Sequence, residues 1–135
     1  HAEPEHRGMN RRSPLADKRI LVVEDEYFIA RDLERMLRAA DAIVVGPVAT
    51  LEQGLTLAET QPIDAAVLDV NLAGERAFEI ADRLSARDVP WTFLTGYDEW
   101  ALPAAYRSAS IVAKPFQADR IIRAIHALMP DKGRA

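Results

Sequence analysis

The chain has 135 residues, enough for one domain of ordinary size and too few for two. Hydrophobic residues make up 49% and charged residues 28%, which excludes a wholly disordered or collagen-like chain. Lys plus Arg is 17 and Asp plus Glu is 21, and the resulting charge of −4 disfavours bulk nucleic-acid binding, which needs a basic face.

Residues 1–17 are polar, contain Pro4 and Pro14 and lack an apolar period, so they read as a flexible tail with Met9 as a candidate native start. The tail has no apolar core of a secretory signal. Arg19–Val23 is the first of five short apolar runs that read as parallel strands buried on both faces. Ile29, Leu33, Met36, Leu37 and Ala40 then follow the 3.6-residue period of a helix. Ile43–Val48 is the second strand, and Thr50 is placed to cap a shorter helix over Leu51–Glu59. Ala65–Asp69 is the third strand, followed by a helical stripe of Ala77, Ile80, Ala81 and Leu84. Trp91–Thr95 is the fourth. The segment Tyr97–Arg107 contains Pro103, so any helix there is short, late or distorted. Ser110–Ala113 is the fifth strand, and Ile121, Ile122, Ile125, Leu128 and Met129 form the stripe of a last helix before the tail 131–135.

Strand starts lie 24, 22, 26 and 19 residues apart, a spacing that suits βα units joined by right-handed crossovers. Five such units predict an α/β, flavodoxin-like (βα)5 doubly wound parallel sheet of order 2-1-3-4-5 over residues 18–130. Ligands of such sheets bind beyond the strand C-termini. There the sequence collects its chemistry. Strand one ends in Glu24-Asp25-Glu26, strand three in Asp69, strand four in Thr95-Gly96 and strand five in Lys114-Pro115. Carboxylates converging in one crevice repel unless a cation joins them. With no Cys and only His1, His6 and His126, the donor set is all oxygen, which suits Mg²⁺. Carboxylate, hard cation, Lys and Thr together make a phosphoryl-transfer constellation. Each residue also has a plainer reading. Asp69 and Asn71 favour turns, Glu24 and Asp25 suit a helix start, and His126 suits a helix surface.

The motifs ILVVEDE (20–26), LDVNLAG (68–74), FLTGY (93–97) and KPF (114–116) together resemble the receiver domain of two-component response regulators, and FLTGY resembles its stand-alone FATGY-type subgroup. The resemblance implies that Asp69 accepts a phosphoryl group from a sensor histidine kinase or phosphotransfer protein. It implies that Asp25 ligates Mg²⁺ directly, Glu24 through water and Asn71 through its backbone carbonyl. Thr95 and Lys114 would bind the phosphoryl oxygens, and the Lys114-Pro115 bond would be cis. Ile111 stands where many receivers carry a switch aromatic, a role that Tyr97 would take over. The implied protein is a cytoplasmic, single-domain switch that signals to a downstream protein partner, with no nucleic-acid or membrane partner and no turnover beyond its own Asp69. It would be a monomer or a weak dimer through the face made by Tyr97–Arg107, strand five and the last helix, the family's α4–β5–α5 face. A phosphorylation-independent binding module and a phosphoryl sink remain open. A dehalogenase-type phosphatase would need a second Asp where Asn71 stands.

Overall fold

A computed structural model of the chain describes residues 13–96 and 102–130. Its main sheet has five strands, β1 (Arg19–Val23), β2 (Ile43–Val48), β3 (Ala65–Asp69), β4 (Trp91–Thr95) and β5 (Ser110–Ala113). All four pairings are parallel, in the order β2-β1-β3-β4-β5 that the sequence predicts. The helices α1 (Tyr27–Ala39), α2 (Leu51–Thr60) and α3 (Phe78–Ala86) and the C-terminal helix Ala118–Leu128 cover the two faces. Two two-residue strands, Asn71–Leu72 and Glu75–Arg76, form a small antiparallel hairpin after β3. No helix among the described residues is long and apolar enough to cross a membrane.

The alternation of strand side chains divides the core in two. Leu21, Val23, Ala66, Leu68 and Phe93 pack with α2 and α3 residues such as Ala58 and Ile80. Ile20, Val22, Val67, Leu94 and Val112 pack with Leu33 and Leu37 of α1 and with Ile121 and Ile125. Only β3, the central strand, is buried along its whole length. The edge strands depart from the expectation of burial on both faces: Ile43 in β2 is 42% exposed and Ile111 in β5 is 39% exposed. An edge strand has a neighbour on one side only, and here the flanking helices leave these positions uncovered.

Local chemistry explains most boundaries. Thr50 Oγ1 accepts the Gln53 N–H at 3.0 Å and so caps α2 as expected. Gly46 has φ +99 beside Pro47, and the β1–β2 register shifts there, between Leu21 and Val23. A proline is compatible with this edge position because its missing N–H costs no ladder bond. Of the segment Tyr97–Arg107, residues 97–101, including Tyr97 and Trp100, lie outside the described residues; a single 3₁₀ turn, Ala104–Tyr106, follows Pro103.

Leu15 falls inside the segment read as a tail, yet it is fully buried in the α1 face of the core. The Asp17 N–H donates to the Asp41 carbonyl at 2.9 Å and the Lys18 N–H to the Leu15 carbonyl at 3.0 Å, which fastens the turn ahead of β1. An isolated leucine carries no periodic signal, so only packing reveals it. Leu15→Ala is expected to lower unfolding free energy by about 2–5 kcal/mol. Urea denaturation checks this; an unchanged midpoint would mean the residue contributes nothing to the fold.

Candidate functional site

The C-terminal ends of β1, β3, β4 and β5 bring the sequence-predicted residues to one edge of the sheet. Glu24 and Asp69 are buried, at 1% and 3% exposure, while Asp25 is half-buried. One carboxylate oxygen from each of these three lies within 4.8 Å of the other two. Lys114 reaches across from the end of β5. Its Nζ stands 3.0 Å from Asp69 Oδ2 and 3.1 Å from Glu24 Oε1. The Lys114-Pro115 bond is cis, as the resemblance implies.

Backbone groups fix the carboxylates. Glu24 Oε2 accepts the Glu26 N–H at 2.9 Å, and Asp69 Oδ1 accepts the Asn71 N–H at 3.1 Å. The Asn71 side chain accepts the Gly74 N–H at 2.9 Å, within a turn where Gly74 has φ +95. The turn-forming reading of Asn71 therefore holds for its side chain. Thr95 is buried at the end of β4, and its carbonyl accepts the Lys114 N–H at 2.9 Å.

Electrostatics make the site costly without a second cation. Burial pushes the Glu24 carboxyl up to about 8, and the Asp69 carboxylate adds to the rise against the Glu26 N–H and Lys114. Burial also raises Asp69, with Glu24, Lys114 and the Asn71 N–H opposing it. Burial favours the neutral Lys114 amine, but the two carboxylates outweigh it and its pKa is raised. Glu24 Oε1 is buried without a hydrogen bond of acceptable geometry, although the ammonium stands beside it. An all-oxygen donor set with an orphaned buried carboxylate oxygen fits a hard divalent cation.

Sequence reasoning missed some of the surroundings. Glu26 Oε1 stands 4.0 Å from Lys114 Nζ at the mouth of the crevice. Next to it Tyr27 and Phe28 are 68% and 80% exposed, their rings edge-to-face at 5.3 Å. The signal was available: Phe28 lies off the apolar stripe of α1, in line with Asp32 and Arg35. Ile111 lies on the exposed side of β5, and Tyr97 lies outside the described residues.

A five-stranded parallel sheet with acids at the ends of two adjacent central strands and a lysine on the edge strand defines a flavodoxin-like α/β domain with an acidic crevice. The family model described as the response regulator receiver domain matches residues 20–126. The solution structure of SdrG from Sphingomonas melonis Fr1 is 41% identical with TM-score 0.75, covering 86% of this chain and 98% of that one. A BeF3-activated conformation of SdrG is 40% identical with TM-score 0.72, covering 85% and 98%. The sensory transduction protein LytT of Bacillus subtilis is 35% identical over 107 residues, 76% of this chain and 44% of LytT, so the chain spans under half of that relative. The chain belongs to the response regulator receiver domain family, whose members are phosphorylation-dependent signalling switches that bind Mg²⁺ at an acidic pocket.

The raised Glu24 carboxyl has a stability consequence. In metal-free protein the folded state holds a proton that the unfolded state releases between pH 4.5 and about 8. This contribution is fully present below 4.5 and is lost as pH rises through about 8. In chelator, Tm is expected to fall across that window. Added Mg²⁺ is expected to raise Tm more at about pH 8 than at about pH 5, because protons and cation compete for the same carboxylates. Thermal melts with and without Mg²⁺ check both, and a Mg²⁺ shift independent of pH would contradict this assignment.

Proposed function

We propose that this chain is a phosphorylation-dependent switch in which Asp69 accepts the phosphoryl group. The observation that carries the reading is the Lys114 ammonium held 3.0 Å from Asp69 Oδ2 beside two further acids. The attacking Asp69 oxygen forms a bond to phosphorus as the donor's P–N bond breaks, and the departing imidazole keeps the electron pair of that bond. Lys114 pairs with the phosphoryl oxygens that result, and the Thr95 hydroxyl donates to another. Asp25, Asp69, the Asn71 carbonyl and, through water, Glu24 would hold Mg²⁺. When bound, the cation neutralises charge on the equatorial oxygens. Catalysis is confined to transfer to, and hydrolysis from, Asp69 itself.

The functional unit is residues 18–130, with Leu15 packed onto it. The reading places the protein in the cytoplasm, with a sensor histidine kinase or phosphotransfer protein as donor and a protein as downstream partner. Exposed Ile111 suits self-association through the face around β5. The exposed Tyr27 and Phe28 beside the crevice mouth supply the apolar contact for a donor protein that must reach Asp69.

Intact-mass analysis after acetyl phosphate and Mg²⁺ is expected to show one added phosphoryl group, lost completely in Asp69→Asn. A gain that survives the substitution would refute Asp69 as acceptor. Phe28→Ala is expected to slow transfer from the donor kinase on the order of tenfold while leaving the acetyl phosphate reaction unchanged. Equal rates with both donors in wild type and variant would exclude Phe28 from docking.

A further inference from the structure

The chain passes from Thr95 to Lys114 along a connection whose described part is anchored by aromatic contact. The Tyr106 ring lies flat on Phe78, with centroids 4.6 Å apart and planes at 11°. It meets Phe93 edge-on at 6.0 Å, and Trp91 lies 6.3 Å away. The Tyr106 hydroxyl donates to Asp82 Oδ1 at 2.8 Å. Burial, together with that hydrogen bond and the Asp82 charge, holds the phenol above its ordinary range. Leu102 and Ala109 add apolar contact on either side.

The cluster joins three parts of the site's framework. Phe78 opens α3, directly after the hairpin that follows Asp69, and the Arg76 guanidinium stands 5.8 Å over its ring. Phe93 lies in β4, two residues before Thr95. Tyr106 lies in the connection that leads into β5 and Lys114. The stacked rings lie against a packed core, whereas the phenol-to-Asp82 bond is at the solvent-exposed rim. Water competes for both partners of this exposed bond, which makes it a weaker hold than the stacked rings and the contact most readily given up.

We propose that Tyr106 is the positioning residue that holds residues 102–109, ahead of β5, in their resting arrangement, and that its hydrogen bond to Asp82 is a latch released when Asp69 is phosphorylated. The proposal rests on the reading of Asp69 as acceptor. It assigns the aromatic coupling to neither Tyr97 nor the position of Ile111.

Hydrogen exchange of residues 102–109, followed by mass spectrometry on the full chain with and without acetyl phosphate and Mg²⁺, tests it. In unphosphorylated protein, Tyr106→Phe and Asp82→Ala are each expected to speed exchange on the order of fivefold. The double variant is expected to do no more than either single one, because both remove one bond. Asp82→Asn, which keeps an acceptor, is expected to behave like wild type. Phosphorylated wild type is expected to exchange as fast as the variants, with no further effect of the substitutions. Unchanged exchange in Tyr106→Phe, additive effects in the double variant, or an equal acceleration in the phosphorylated state would each refute the latch. Wild type that gains no phosphoryl group refutes the Asp69 reading and the trigger with it; wild type that gains the group but keeps slow exchange refutes the latch alone.

Discussion

Two carboxylates buried side by side are tolerable only if positive charge comes to them, and Lys114 brings it. Its ammonium sits between Asp69 and Glu24, at 3.0 and 3.1 Å, with Asp25 and Glu26 at the more open edge. Burial raises the pKa values of Glu24 and Asp69, and Lys114 opposes the rise at each without cancelling it. Protons relieve the remaining cost at low pH, and a divalent cation relieves it at neutral pH. The site is therefore poised to take a cation.

The parallel sheet is what makes this juxtaposition possible. All five strands point the same way, so their C-termini meet at one edge, and β1 and β3 are neighbours there because the chain winds outward from between them. The apolar run before each polar residue is long enough to bury the strand and then stops. Burial of β3 along its whole length fixes Asp69 rigidly, and the hairpin after it, with Asn71 accepting the Gly74 N–H, prevents the following turn from wandering. A fully buried strand beneath the site and a connection beside it whose described part is held by aromatic contact are complementary. A switch needs a fixed place for the charge to arrive and a weaker contact elsewhere that can respond.

That second property sits in the β4–β5 connection. A full helix there would be held by a broad apolar face, whereas the described part is a 3₁₀ turn after Pro103, held by Leu102 and the ring of Tyr106. Proline removes a backbone donor and constrains its neighbour, which limits how much regular structure can form. The stack of Tyr106 on Phe78 supplies in side-chain contact what the helix does not supply.

Much of the fold and the core of the site were legible in the residues. The five strand spans, the strand order, three helical stripes, the helix capped by Thr50 and the meeting of Glu24, Asp25, Asp69, Thr95 and Lys114 at one edge all follow from periodicity, capping and polar residues placed right after apolar runs. These are local signals, and local signals determine which elements form and which of their ends carry chemistry. Leu15, the partial exposure of Ile43 and Ile111, the aromatic pair on α1 and the Tyr106–Asp82 contact were not legible, because each depends on what lies opposite in space. The sequence by itself determined the sheet and the set of acids, hydroxyl and lysine at its edge. Only the tertiary structure decided how deeply Glu24 and Asp69 are buried and that Lys114 stands between them, since burial and distance between residues 45 positions apart are set by packing and not by any local pattern.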